Sequence, residues 1–118
     1  MTYSLKPGVV SGDDYKILLK AAKEGGYAIP AVNTVGTNSV NAVMEAAAKN
    51  KSDVIIQFSN SAGQFYAGKS LSDAFEAKVM GSISAAMHIH LLAEKYGICV
   101  VLHTDHANKG LIPWVEAL

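Results

Sequence analysis

The sequence predicts an α/β protein built on a parallel sheet, and three observations carry this prediction. Three short apolar runs, residues 28–33, 54–58 and 98–102, have the length and composition of buried strands. Longer segments between these runs repeat apolar residues at helical spacing, and strands that alternate with helices form parallel β-α-β units. Each apolar run also leads into polar residues, which is where α/β folds place their chemistry.

Charge, hydropathy and cysteine content exclude several classes of protein. The chain has 118 residues, enough for one domain with a modest core. Its ten basic and ten acidic residues cancel, which argues against a nucleic-acid partner or a polybasic membrane surface. No apolar stretch approaches the roughly 20 residues of a membrane span, and residues 1–12 lack the pattern of a signal peptide. Because Cys99 is the single cysteine, we expect no intrachain disulfide, a reduced cytoplasmic setting and a buried thiol.

The first half of the chain is predicted to contain two helices and two strands. Residues 1–12 are expected to form an irregular lead-in, because proline and glycine interrupt them. A helix is predicted over residues 13–24, with acidic residues at its start and a glycine pair after its end. A strand follows over residues 28–33. A second helix opens near Gly36, with an apolar stripe formed by Val40, Val43, Met44 and Ala47.

The second half is predicted to contain two strands and two helices. A strand over residues 54–58 is followed by a long connection over residues 63–77. A helix over residues 78–96 is expected to bury the stripe Val79, Met80, Ile83, Met87 and Leu91, and Gly97 ends it. The strand that begins at Ile98 comes next. A last helical pattern then runs from residue 107, with Pro113 in its first turn and Leu111, Val115 and Leu118 at helical spacing.

The polar residues at the strand ends are Asn33, Ser59, Asp105 and His106, and parallel strands bring their ends to one edge of the sheet. A neutral imidazole can bind zinc, and an adjacent carboxylate can donate or accept a proton beside it. One histidine is not a metal site, because a catalytic zinc takes three protein ligands. The Asp105–His106 pair also suits a purely structural role, and Asn33 and Ser59 also suit turn or helix-cap interactions.

Three strands are too few to close a barrel, so we expect the chain to form the front three of the eight units of a (β/α)8 barrel. A small free-standing three-layer domain is the alternative.

His103 lies within the strand before the polar cluster. We expect it to be a packing or supporting residue, in the barrel interior or under the helical coat, and not a member of a four-histidine zinc cluster.

Four motifs occur in an order and at a spacing that resemble the N-terminal part of the class II, zinc-dependent fructose-1,6-bisphosphate aldolases. They are AIPAVN over residues 28–33, QFSN over 57–60, VLHTDH over 101–106 and KGLIPW over 109–114. The lead-in over residues 6–14 resembles the long bacterial and fungal branch of the family. This resemblance covers essentially the whole chain and implies a (β/α)8 TIM barrel of which residues 1–118 are the N-terminal segment, truncated before the remaining barrel units.

The resemblance implies a function and a role for each polar residue at the strand ends. The implied reaction is the zinc-dependent aldol cleavage and condensation of fructose 1,6-bisphosphate, dihydroxyacetone phosphate and glyceraldehyde 3-phosphate in glycolysis or gluconeogenesis. By position, His106 corresponds to a Zn²⁺ ligand and Asp105 to the acid that exchanges a proton with the aldehyde-derived oxygen. Ser59 corresponds to a contact with glyceraldehyde 3-phosphate and Asn33 to a substrate-orienting residue. The family also implies a homodimer, and the remaining zinc ligands and phosphate loops belong to later parts of its sequence.

Two departures from the family pattern and two alternatives accompany this hypothesis. After His106 the family usually has a cysteine and two lysines, whereas this chain has Ala107, Asn108 and Lys109. Residues 61–63 replace a more glycine-rich loop. A tagatose-bisphosphate aldolase is the nearest alternative function, and a non-catalytic fragment that serves as an interaction or assembly piece is the alternative from another class. The 118 residues alone are expected to be inactive.

Overall fold

The sheet of this protein has four parallel strands, and the computed structural model describes residues 4–118 of the chain. In chain order the strands are β1 (Gly8–Val9), β2 (Ala31–Asn33), β3 (Val54–Phe58) and β4 (Cys99–Thr104), and their order in the sheet is β1-β4-β3-β2. The helices are α1 (Gly12–Gly25), α2 (Thr37–Asn50), α3 (Asn60–Ala67), α4 (Ala74–Tyr96) and α5 (Ile112–Glu116), with a 3-10 turn at Lys109–Leu111. The predicted parallel α/β fold is confirmed.

The two ends of the chain differ in part from the sequence prediction. The irregular lead-in was predicted over residues 1–12, of which 1–3 lie outside the described residues; Gly8–Val9 instead pairs in parallel with Cys99 and Val100. This pairing forms because the amides of Gly8 and Val10 donate to the carbonyls of Ile98 and Val100, each at 2.9 Å. In the last helical segment Pro113 lies in the first turn, as predicted. The buried residue there is Trp114, whereas Val115 and Leu118 are exposed.

The prediction of a long connection over residues 63–77 is wrong, because α3 occupies its beginning and the first turn of α4 occupies its end. Helix α4 thus begins at Ala74 and not at the predicted residue 78. Ser59 caps this helix, since its hydroxyl accepts the amide of Ala62 at 3.1 Å. Gly63 of α3 and Gly81 of α4 lie at the crossing of the two helices. A Cβ built on Gly81 would stand 1.7 Å from the carbonyl oxygen of Gly63. Helix α3 therefore depends on close backbone contact with α4. Apolar residues at helical spacing do not indicate a contact of this kind.

The stripe predicted to be buried on α4 is also wrong. Met87 is 67% exposed and Leu91 is 73% exposed. The face that packs inward consists of small residues and one isoleucine, namely Ala77, Gly81, Ser82, Ala85, Ile89 and Ala93. Small side chains let α4 approach α3 and the sheet closely.

Alternating residues of the strands divide the core between the two faces of the sheet. On one face, Ile56 and Val100 pack with Met44 of α2 and Ile89 of α4. On the other face, Ile55, Cys99 and Val101 pack with Leu18 of α1. Helix α1 thus covers the N-terminal part of its face, which leaves the C-terminal strand ends on that face for polar side chains. Within residues 4–118, no helix combines the length and the hydropathy needed to cross a membrane.

Candidate functional site at the carboxyl edge of the sheet

The strand register aligns a row of three polar residues on the face that α1 covers. Asn33 is paired with Gln57, and Gln57 is paired with His103. These residues have the same parity as Ile55 and Val101, so their side chains point to the same side of the sheet. Asp105 continues this parity just beyond β4, and its amide donates to the carbonyl of Phe58 at 2.9 Å. The row and Asp105 together form the polar end of this face.

Asn33, Gln57 and Asp105 form one hydrogen-bond network. The Nδ2 of Asn33 donates to Oδ2 of Asp105 at 2.9 Å. The Nε2 of Gln57 donates to Oδ1 of Asn33 at 2.8 Å and makes a longer contact of 3.4 Å with Oδ1 of Asp105. The structure therefore brings Asn33 and Asp105 together across 72 positions of sequence. Sequence reasoning missed Gln57, although its spacing of two from Ile55 places it on the same face.

The hydrogen bonds of Asp105 favour its ionised form. The hydrogen bond from Asn33, followed by the backbone amide of His106, lowers the pKa of this carboxyl below its ordinary value. Near neutral pH the group is thus a carboxylate that can accept a proton. Its Oδ2 atom accepts the short bond from Asn33, whereas the side-chain partners of Oδ1 are more distant, with Nε2 of Gln57 at 3.4 Å and Nε2 of His106 at 3.9 Å. Oδ1 is therefore the more available acceptor for a proton from a bound molecule.

The imidazole of His106 is fully exposed, and its Nε2 atom lies 3.9 Å from Oδ1 of Asp105. Within residues 4–118, no three histidine, cysteine, aspartate or glutamate side chains converge into a metal-binding group. An exposed imidazole nitrogen suits one coordination position of a divalent cation, beside a carboxylate that is already held by amides. The described residues therefore fit one ligand of a metal centre.

Ser59 lies at the same edge of the sheet and bonds within its own helix. Its hydroxyl caps α3 and lies 3.0 Å from the hydroxyl of Ser61. Among the described residues, no hydrogen bond connects Ser59 to the Asn33–Gln57–Asp105 network. The helix-cap role that the sequence left open is present, and it leaves hydroxyl capacity for another partner.

His103 lies inside the sheet face and packs against α1. Its ring meets the ring of Tyr15 edge to face, with the centroids 6.2 Å apart. The side chain is half-buried. This position agrees with the packing and supporting role expected for His103.

Comparison with known proteins relates the chain to one family. The family model described as "Fructose-bisphosphate aldolase class-II" matches residues 13–117. A fructose-bisphosphate aldolase from Campylobacter jejuni is 54% identical over 114 residues, which cover 97% of this chain and 31% of that protein. A class 2 fructose-bisphosphate aldolase from Escherichia coli K12 is 53% identical over 116 residues, which cover 97% of this chain and 32% of that protein.

A solved structure extends the similarity to the backbone. The 1.85 Å crystal structure of fructose-bisphosphate aldolase from Campylobacter jejuni matches with a TM-score of 0.91 at 54% identity. The match covers 97% of this chain and 32% of that one. The chain thus spans about a third of the length of the relatives that it matches, and it corresponds to their N-terminal part.

Proposed function

The chain belongs to the class-II fructose-bisphosphate aldolase family, and from this premise we propose that it forms part of an enzyme for fructose 1,6-bisphosphate. The proposed reaction is the reversible cleavage of this sugar to dihydroxyacetone phosphate and glyceraldehyde 3-phosphate. The activity is proposed for the full-length protein, because the chain spans about a third of its relatives. Residues 1–118 are then the N-terminal segment of one TIM-barrel domain, and alone they are expected to be inactive.

The observation that carries this proposal is the 2.9 Å hydrogen bond between Asn33 and Asp105, beside the exposed imidazole of His106. In the cleavage direction, Oδ1 of Asp105 accepts the proton of the C4 hydroxyl while the C3–C4 bond breaks. In the condensation direction the protonated Asp105 returns this proton to the aldehyde oxygen. Positioned proton transfer of this kind contributes about 10²–10⁴-fold to a rate.

Asn33 and Ser59 are proposed to bind the substrate. The amide of Asn33 holds the Asp105 carboxylate, and its exposed side chain borders the space in which a sugar would lie. Ser59 presents a hydroxyl at the end of the neighbouring strand, where its geometry is fixed by the cap of α3. These groups orient the hydroxyls of the sugar relative to Oδ1 of Asp105.

We propose that His106 supplies one ligand of a zinc ion, because its nitrogen is exposed beside the carboxylate. When bound, the ion supplies Lewis-acid stabilisation of negative charge on a substrate oxygen. The remaining ligands would come from residues outside the described chain.

The decisive experiment measures cleavage of fructose 1,6-bisphosphate and bound zinc in the full-length protein, two site variants and one control variant. Asp105→Asn preserves shape but removes the proton acceptor, so we expect kcat to fall about 10²-fold or more with zinc content retained. His106→Ala should lose zinc, which elemental analysis reports independently of activity. Asp13→Asn, at the exposed start of α1, is the matched control. An Asp105→Asn variant with full kcat contradicts the proposed proton transfer.

The same assay separates this function from its two alternatives. Fructose and tagatose 1,6-bisphosphates differ in configuration at C4, the carbon whose hydroxyl is proposed to face Asp105. A larger kcat/KM for the tagatose substrate would identify a tagatose-bisphosphate aldolase. A folded full-length protein that cleaves neither sugar would favour the non-catalytic interaction or assembly piece.

The proposal also covers the oligomeric state, the cellular location and the partners of the protein. We propose a homodimer that works in the cytoplasm, in glycolysis or gluconeogenesis, with a sugar phosphate as its small-molecule partner and no nucleic acid or membrane partner. The resemblance to the family supports the dimer, and the zero net charge and lone cysteine support the setting. Light scattering of the full-length protein tests the dimer, and a monomer at micromolar concentration would contradict it.

A further inference from the structure

The hydroxyl of Tyr66 reaches from α3 to the loop that follows β2. It donates to Oγ1 of Thr34 and to the carbonyl oxygen of Gly36, each at 3.2 Å, so its one proton serves two acceptors. The ring of Tyr66 is half-buried and meets the ring of Phe58 edge to face, with the centroids 6.2 Å apart. Aromatic packing thus fixes the ring, and the hydroxyl joins segments that are 30 and 32 positions apart in sequence.

Thr34 connects this hydroxyl to the candidate site. Its side chain is 1% exposed, and strand alternation places it with Val32 on the sheet face opposite to that of Asn33. The amide of Thr34 donates to the carbonyl of Gln57 at 2.9 Å, and its hydroxyl donates to the same oxygen at 3.5 Å. Thr34 therefore ties the end of β2 to β3, one residue after Asn33.

Asn33 depends on this support because β2 is short and lies at the edge of the sheet formed by residues 4–118. The strand has three residues and pairs with β3 on one side. Asn33 is exposed, and its amide must point at Oδ2 of Asp105 to make the 2.9 Å hydrogen bond. A small rotation of the backbone at the end of β2 would move this amide away from the carboxylate, and proton transfer is sensitive to such displacement.

We propose that Tyr66 is a positioning residue for the aldol reaction, which holds Asn33, and through it Asp105, from the opposite face of the sheet. The inference rests on the proposed function, because it takes Asp105 as the group that exchanges a proton with the substrate. The hydroxyl of Tyr66 bonds to Thr34 beneath the sheet, so it acts on the reaction through the direction of the Asn33 amide.

The test removes this hydroxyl and measures kcat for cleavage of fructose 1,6-bisphosphate by the full-length protein. Tyr66→Phe retains the ring and its packing. Because the contact can bias Asn33 by no more than its own strength, kcat should fall about threefold to tenfold, the range for one neutral hydrogen bond. Tyr96→Phe is the matched control and should keep kcat within about twofold of the parent. Tyr96 is also half-buried against the same core, but its hydroxyl bonds to Glu45, at 3.5 Å, near the amino end of β4.

A double-mutant cycle with Asn33→Ala distinguishes positioning from a general loss of stability. If Tyr66 acts through Asn33, Tyr66→Phe should change kcat less than about twofold once the Asn33 amide is absent. A loss by the same factor in both backgrounds, or no loss in the parent, would overturn the proposal.

Thr34 allows the same contact to be removed from its other side, which also covers the case in which Tyr66→Phe does not fold. Thr34→Ser retains the hydroxyl and should keep kcat within about twofold. Thr34→Val retains the shape without the hydroxyl and should lower kcat about threefold to tenfold. An equal loss in both variants would assign the effect to the methyl group and reject the role of the hydrogen bond.

Failure of the proposed function would appear separately, as absence of cleavage by the unmodified protein. Hydrogen exchange then still tests the contact, because the amide of Thr34 should exchange about threefold or more faster in Tyr66→Phe than in the parent protein. Equal exchange rates would show that Tyr66 does not hold the end of β2.

Discussion

Replacing Gly81 by alanine tests how firmly α4 holds α3, the helix that positions Ser59. The new Cβ would lie 1.7 Å from the carbonyl oxygen of Gly63 and 2.9 Å from the amide nitrogen of Ala67. Both atoms belong to the backbone of α3, so no side chain can rotate to make room. Gly63 is also confined, because a Cβ there would lie 2.6 Å from the carbonyl oxygen of Lys78 on α4. The two helices must therefore separate to accept the methyl group.

The size of the effect follows from two opposing terms. Overpacking of a close contact costs about 1–3 kcal/mol, and more where backbone has to shift. Alanine recovers about 1 kcal/mol through its higher helix propensity. Because the clash here involves backbone atoms on both helices, we take an overpacking cost of about 4 kcal/mol, just above that range. After the recovery of about 1 kcal/mol, we expect a net loss of about 3 kcal/mol in the free energy of unfolding. The displacement should also move the cap at Ser59 and raise KM for the proposed sugar substrate.

Urea denaturation of the full-length protein measures this loss, with Gly110→Ala as the matched control. A Cβ on Gly110 meets only a side-chain oxygen of Asn108, at 3.3 Å, so this substitution should change the free energy of unfolding by less than about 0.5 kcal/mol. If Gly81→Ala unfolds within about 1 kcal/mol of the parent protein, the helices separate easily. The argument that backbone contact fixes α3 would then be refuted.

Three further predictions concern the site and two buried groups at the amino ends of β3 and β4. Asn33→Ala removes the 2.9 Å hydrogen bond to Oδ2 of Asp105, so kcat for cleavage should fall about tenfold to a hundredfold, and an unchanged kcat would contradict the network. Burial raises the pKa of Asp53 above 3.8, so stability from its neutral form is full below that pH and is lost as pH rises through the higher folded pKa. Asp53→Asn should therefore reduce the fall in Tm that occurs as the pH rises above 3.8 and this carboxyl ionises, while Asp13→Asn should not. Burial, and after it the charge of Asp53, raises the pKa of Cys99 to about 11. Native protein at about pH 8 should therefore react with Ellman's reagent at least about 100-fold more slowly than unfolded protein. Rapid reaction of the native protein would contradict the burial of Cys99.

The parts of the fold that sequence predicted well are those in which one local signal dominates. Val54–Phe58 is a strand because four of its five residues are apolar, and these four are buried on the two faces of the sheet. Helix α2 buries Val40, Met44 and Ala47, which were predicted from their helical spacing. In each case the residues that give the pattern are the residues that make the contacts.

The sequence prediction failed where tertiary contact selects small residues. Gly63 and Gly81 weaken helical propensity, yet they permit the approach of α3 to α4 that stabilises both helices. On α4 the large apolar residues Met87 and Leu91 suggested the buried face, but Ala85 and Ala93 occupy it. A hydropathy pattern identifies large apolar residues, whereas this interface requires small ones. Pairing of Gly8–Val9 with β4 was missed for a related reason, because two residues hold too little pattern to identify a strand.

In the candidate site, the alternation of side chains along β4 predicts the position of one site residue but not of the next. Asp105 keeps the alternation of Val101 and His103 and meets Asn33 and Gln57, so its position follows from the register of three strands. His106 comes next, past the end of β4, where alternation no longer fixes a direction, and its ring is fully exposed. The sheet therefore positions the carboxylate, whereas strand alternation does not fix the direction of the imidazole. If the two groups act together as proposed, substitution of Asn33 should change proton transfer with zinc retained, whereas substitution of His106 should change zinc content first.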